Sequence, residues 1–241
     1  VELHVGTSGY SYKEWKGSFY PEDLSDKDML SWYAERLGAV EINNTFYRLP
    51  KASVLESWAG QVPETFRFSI KASRRITHFA RLKEEARDPT EFLLGNVAVL
   101  GDRLGVVLFQ MPPNLKKDTP RLEAFLEMLP EGTRAAFEFR HDTWKDEEVY
   151  AALRRRDMAF VCADTDDEGA DEPLVPTASW GYLRMRRPDY EDADLARWAG
   201  QVAACDWRHA FVFFKHEDEG AGPELAGRFS RIAAERDGAS G

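Results

Sequence analysis

Apolar residues recur along this chain with two periods, and the period switches back and forth from one end to the other. Val40 and Ile42 alternate with Glu41 and Asn43, the period of two expected of a strand. Phe66, Phe68 and Ile70 alternate in the same way with Arg67, Ser69 and Lys71. The stretch from Leu104 to Gln110 is nearly all apolar, as a strand covered on both faces should be. Strands are also predicted at 3–6, 135–140, 159–164, 180–185 and 211–214. Between them the spacing becomes helical, as in Leu30, Tyr33 and Leu37 or Leu122, Phe125, Leu126 and Leu129. Turn chemistry marks several helix starts. Ser25 and Asp28 read as an N-cap with its partner, Ser53 and Glu56 as a capping box, and Pro89 as a first helical residue. Residues 165–178 break the rhythm, because acids and two prolines cluster there. An irregular acidic loop is predicted to replace or shorten the sixth helix.

Eight strands alternating with about seven helices imply parallel strands joined by crossover helices. Count and length both match a (β/α)8 TIM barrel, an α/β fold. A doubly wound open sheet is the alternative, but no Gly-x-Gly-x-x-Gly follows the first strand. No linker interrupts the pattern, so residues 1–237 are expected to form a single domain, with 238–241 a disordered tail.

Composition narrows the function classes. A formal net charge of −10 excludes a nucleic-acid footprint spread over the whole surface. Two cysteines far apart, Cys162 and Cys205, argue against a disulfide framework and fit a reducing compartment. No run approaches 18 apolar residues, and no leading segment reads as a signal peptide. The expectation is a cytoplasmic protein without a membrane partner.

Functional groups of such barrels sit at the carboxyl ends of the strands. Those ends supply Ser8, Glu41, Asn43, Lys71, Gln110, Glu138, Arg140, Asp164, Arg184 and Lys215 or His216. The phenylalanines of the third and fifth strands take one face, which leaves Lys71, Glu138 and Arg140 facing into the barrel. Acids and bases gathered in one pocket shift each other's pKa, as acid–base catalysis requires and as structural ion-pair networks also do. Glu138 and Glu41 are the candidate proton carriers, and Lys71 a candidate anion-positioning group or amine nucleophile. Lys71, Arg74, Arg75, Arg81 and Lys83 fall within thirteen residues that include His78 and no acid. With Arg184, Arg186 and Arg187 they predict a positive mouth that captures phosphate or carboxylate. Residues 10–24, with Tyr10 at their head, are aromatic enough to wall a pocket. Neither His141 nor the 216–218 stretch has zinc-motif spacing, so no metal and no cofactor are expected. The absence of Gly-x-Ser-x-Gly argues against a serine hydrolase.

The stretches 6–12 (GTSGYSY), 40–50 (VEINNTFYRLP), 68–72 (FSIKA), 76–78 (ITH), 108–113 (LFQMPP) and 137–144 (FEFRHDTW) occur in this order. Together they resemble the YecE-like family, also called domain of unknown function 72, over nearly the whole chain. The resemblance implies a TIM barrel and no established reaction. It adds Tyr47, His141 and Trp144 to the candidate site, with His78. Two strand ends depart from the family pattern. Arg184-Met-Arg-Arg stands where many members carry Arg-x-His-Gly, and Phe214-Lys-His-Glu-Asp where they carry Phe-Asn-Asn. The first reading is an acid–base enzyme, a hydrolase or an isomerase or lyase, acting on a small anionic or sugar-like molecule. A nucleic-acid enzyme or binder using the 71–83 basic loop is the second, and a non-catalytic binding protein the third.

Overall fold

The computed structural model describes residues 1–48, 50–165, 174–187, 189–215 and 220–239. Its strands are β1 (Glu2–Ser8), β2 (Ala39–Ile42), β3 (Arg67–Lys71), β4 (Leu104–Gln110), β5 (Ala135–Glu138), β6 (Ala159–Phe160), β7 (Cys162–Asp164), β8 (Trp180–Met185) and β9 (His209–Phe214). Every pairing is parallel, in the order β6-β5-β4-β3-β2-β1-β9-β8-β7. The two ends of that order, β6 and β7, are one stretch of chain interrupted only at Val161. Val161 N still donates to Phe137 O at 3.0 Å. The predicted sixth strand is therefore split in two, one half bonding to β5 and the other to β8, and the sheet curls into a TIM-like barrel.

The helices are α1 (Met29–Ala34), α2 (Ala52–Ala59), α3 (Arg87–Val97), α4 (Thr119–Met128), α5 (Glu147–Arg154), α6 (Asp192–Ala204) and α7 (Ala221–Ala239). Their apolar faces and the outward side chains of the strands build the larger core, where Phe66, Phe68, Phe109 and Phe137 meet. A second, smaller core fills the barrel itself, with Ala39, Val106, Leu108, Ala136, Val161, Trp180, Tyr182, Phe211 and Phe213. These are inward residues of β2, β4, β5, β8 and β9, with Val161 between β6 and β7, and the period of two separates them from the outward set.

Several local expectations are corrected. Ser25 makes no cap, because a 3-10 turn over Asp26–Asp28 precedes α1. The capping box at Ser53 does not form, since α2 already begins at Ala52 after an extended Lys51. Pro89 is the third residue of α3, not its first. The fifth strand ends at Glu138, two residues short of Arg140. Residues 166–173 of the acidic excursion lie outside the described residues, as does His216. The chain from 174 to 179 has no helix, and Thr177 pins it by accepting from Phe160 N at 2.7 Å and donating to Met158 O at 2.8 Å. α7 is helical through Ala239, so the 237/238 boundary falls inside its last turn. Among the described residues no helix is long and apolar enough to cross a membrane.

Candidate functional site at the carboxyl ends of the strands

The inward residues turn polar one step above the inner core, because β1 to β5 and β8 each place a charged or hydrogen-bonding residue there. Arg184, on β8, is the hub. It is 1% exposed. Its Nη2 donates to Glu41 Oε1 at 2.7 Å and its Nη1 to Glu138 Oε2 at 2.5 Å. Both carboxylates have further hydrogen-bond partners. Glu41 accepts from Ser8 Oγ at 2.8 Å, Asn43 Nδ2 at 2.9 Å and Tyr182 Oη at 2.7 Å. Tyr182 Oη in turn lies 2.6 Å from Ser69 Oγ. Gln110 Nε2 lies 2.9 Å from both oxygens of Glu138, and Arg186 Nη1 approaches the same carboxylate at 3.4 Å.

Burial alone would push the Glu41 carboxyl up, but the Arg184 guanidinium and the hydrogen bonds from Arg184, Tyr182 and Asn43 hold it down at about 2. Burial likewise opposes ionisation of Glu138, and Arg184, Arg186 and Gln110 outweigh it, so this carboxyl also sits below its ordinary value. Both are ionised at pH 7 and almost sealed, at 0% and 2% exposure. Three of the contacts to Glu41 fall on Oε1, and Tyr182 meets Oε2. The role of both carboxylates here is as fixed charges that orient Arg184.

Lys71 behaves differently. It ends β3 and is 9% exposed. Its carbonyl is held by Thr45 Oγ1 at 2.6 Å. Its ammonium lies 4.7 Å from the centroid of the Phe46 ring, and among the described residues it has no hydrogen bond or ion pair. Burial and the Arg184 charge lower its pKa to about 8, against the pull of Glu41 and Glu138. His78 sits beside it on a π-helical turn, Arg75–Phe79, with its ring edge-on to Phe46 at 4.9 Å. Burial and the charges of Lys71, Arg140 and Arg81 depress the His78 imidazole. That same turn is followed by Arg81 and Leu82 in the left-handed region, at φ 51° and 61°. Two consecutive non-glycine residues there are strained by about 1–3 kcal/mol each and mark a segment held in place by its surroundings. Arg140, exposed beyond β5, and Arg186 add positive charge around His78 and Lys71 at this mouth.

Other expected site residues lie elsewhere. Asp164 faces the helices, where it accepts from Trp198 Nε1 at 3.0 Å and pairs with Arg187 at 3.4 Å. Trp144 is a core residue, stacked on Phe139 at 4.3 Å and donating Nε1 to Leu115 O at 2.7 Å. His141 caps its own turn by accepting from Thr143 N. Tyr10 is half-buried, packs against Tyr33 and accepts at its carbonyl from Tyr20 Oη. Tyr47 stands 70% exposed beside a cleft of about 940 Å³ that also takes in Arg48, Ser73, Arg75, Phe79 and Lys83. This cleft lies next to the β3 loop and is not lined by Lys71, Glu41, Glu138 or Arg184. The buried charges converge at the barrel mouth and not in this roomier groove. Tyr182, Ser69 and Phe46 belong to the site although the strand-end reading passed over them. Tyr182 and Ser69 lie two residues before Arg184 and Lys71, so the period of two carried the signal.

Residues 4–240 match the family described as "Protein of unknown function DUF72". The chain is 26% identical over 213 residues to the UPF0759 protein YunF of Bacillus subtilis, covering 83% of this chain and 70% of that one. It is 31% identical over 150 residues to the UPF0759 protein YecE of Escherichia coli K12, covering 60% of this chain and 55% of the relative. The crystal structure of a DUF72 protein from Thermotoga maritima superposes with a TM-score of 0.80 at 25% identity, over 97% of this chain and 100% of that one. A DUF72 protein of Enterococcus faecalis shares the fold at 16% identity and a TM-score of 0.80, over 96% and 95% of the two chains. The fold likeness extends to SacUVDE at a TM-score of 0.55 and 12% identity, over 98% and 99%. A match that spans the sequence motifs, the barrel and almost every residue places this chain in the DUF72 family, whose function is unknown.

Proposed function

We propose that the barrel mouth binds a small phosphorylated or carboxylated molecule and that Lys71 gives or takes a proton in its conversion. The observation that carries this reading is the Lys71 ammonium, which is largely buried, lacks an anionic partner among the described residues and has its pKa lowered to about 8. An amine in that range populates both protonation states near neutral pH, which a general acid–base needs. Arg186 and Arg140 supply the charge that draws an anion in, and the fork of an arginine suits two oxygens of one ligand. Arg184 is engaged by Glu41 and Glu138 through its two Nη atoms and is buried, its Nε without a hydrogen-bond partner among the described residues, so it sets the field without meeting the ligand.

A second reading rests on its own observation. The Arg74 guanidinium lies 5.6 Å from the ring of exposed Tyr47 and 5.4 Å from that of exposed Phe79, beside Arg48, Arg75 and Lys83. Exposed rings interleaved with basic groups suit a stacked, phosphate-linked strand. Calorimetric titration with phosphate, sugar phosphates and small carboxylates, followed by the same titration of single-stranded DNA at rising salt, separates the two. The first reading expects a small anion to bind and K71M to weaken it at least tenfold. Unchanged affinity in K71M would overturn it. The second expects DNA binding that falls steeply with salt and is weakened by Y47A and F79A.

A further inference from the structure

At the opposite end of the barrel, the first residues of two neighbouring strands bring three metal-donor side chains together. Glu2 and His4 come from β1 and His209 from β9, where Glu2 and His209 are register partners. His4 Nε2 is 3.2 Å from His209 Nδ1. The Glu2 carboxylate reaches His4 Nε2 with Oε1 at 3.5 Å and His209 Nδ1 with Oε2 at 3.3 Å. One donor atom from each residue can be chosen so that all three lie within 4.8 Å of one another. We propose that Glu2, His4 and His209 form a site for one divalent transition metal of the zinc type, clamping β1 to β9.

The spacings carry the argument. A tetrahedral zinc ion about 2.0–2.1 Å from each nitrogen or oxygen sets its ligands about 3.3–3.4 Å apart. The His4–His209 contact of 3.2 Å is such an edge, and the Glu2 carboxylate reaches the two imidazoles at 3.5 and 3.3 Å through different oxygens, so a small turn of that exposed side chain closes a triangle whose donors already lie within 4.8 Å of one another. Two imidazoles and a carboxylate leave a fourth position for water, and Glu2 and His209 are open enough for solvent to reach it, at 60% and 30% side-chain exposure. His4 is fixed, being 5% exposed and stacked on Phe211 at 4.6 Å. Strand-borne donors are rigid, so little chain ordering opposes binding.

The surroundings choose among metals. Arg67, Arg134 and Arg208 all add positive charge near the two imidazoles. They have other partners: Arg67 donates to Glu64 O and Phe66 O, Arg134 lies over the Trp180 and Phe211 rings, and Arg208 donates to Ser179 Oγ. Their field still disfavours ions held by charge alone, such as calcium or magnesium. It favours an ion that imidazole nitrogen coordinates covalently. This end of a barrel is where stability, not catalysis, is usually built, so the position fits a clamp between two strands although three protein ligands leave the metal open to water. Spacing along the chain hides the site, since His4 and His209 are 205 residues apart.

The test is competition between the tag-free full chain and a chromophoric zinc chelator, repeated on H209A and E2Q, with the visible spectrum of the cobalt-loaded chain. Both substitutions fall on partly exposed side chains, and circular dichroism checks that each variant folds. The expected result is one zinc per chain and a cobalt spectrum of tetrahedral intensity. Affinity falls at least tenfold in both variants, and zinc raises Tm by about 3 °C or more in the parent chain only. No saturable zinc binding, or equal binding by parent and variants, would overturn the proposal and leave a hydrogen-bonded histidine pair beside a surface carboxylate.

Discussion

R184M is expected to be about 3–5 kcal/mol less stable than the parent chain at pH 7.5, the cost of removing one partner from a buried ion cluster. The guanidinium is the common partner of Glu41 and Glu138, so its loss leaves two sealed carboxylates without it. Arg186 reaches only Glu138, and at 3.4 Å. The pH dependence should also change sign. In the parent chain the Glu41 carboxyl lies at about 2, below its ordinary 4.5. Its stabilisation is therefore complete above about pH 4.5 and is lost as pH falls toward 2. Without Arg184, burial is opposed by neutral donors and by the more distant charges of Lys71 and Arg186, and the folded pKa is expected to move above 4.5. The folded variant then keeps a proton that the unfolded chain has released, so its stability falls as pH rises from 4.5. Urea denaturation at pH 5 and pH 7.5 should show the smaller deficit at pH 5, and adding E41Q and E138Q should recover part of the loss. Equal deficits at the two pH values would show that Arg184 acts by packing and not by charge.

Much of this architecture was legible because strands and helices write different periods into a sequence. The run from Leu104 to Gln110 announced a strand covered on both sides, and Glu41, Lys71 and Glu138 fell on the polar, inward parity of their strands. Partner choice was not legible. Arg184 meets residues 143 and 46 positions away, and only the curvature of the closed sheet brings them together. Asp164 was misplaced by reading its strand end without its parity. Counting in twos groups it with Phe160 and Cys162, whose side chains belong to the outer core. Trp144 belongs to a recognisable motif, yet its indole stacks on Phe139 and bonds Leu115 O, which is a packing role. Ser53 shows the limit of local chemistry. A capping pattern is a preference of about 1 kcal/mol, and the fold started α2 two residues earlier, with Lys51 at the N-cap position.

Replacing Lys71 should have the opposite effect on stability from replacing Arg184. The folded pKa of Lys71, about 8, lies below its ordinary 10.5. Between these values the unfolded chain carries a proton that the folded chain has lost, so stability rises with pH across that window. Below pH 8 the full cost of holding a buried ammonium applies, and a shift of this size corresponds to about 3 kcal/mol. Methionine keeps much of the stem against Phe46 and removes the charge. K71M is therefore expected to be more stable than the parent at pH 7, by up to about 3 kcal/mol, with the gain shrinking by pH 9.5. Denaturant titrations at the two pH values measure this directly. The same variant should lose anion binding at least tenfold. Stability and binding moving in opposite directions is what a group retained for chemistry predicts. A lysine that merely lines the rim would leave both nearly unchanged. A K71M chain that is less stable at pH 7 would show that Glu41 and Glu138 hold the ammonium more strongly than burial and Arg184 oppose it, and the acid–base role would lose its physical basis.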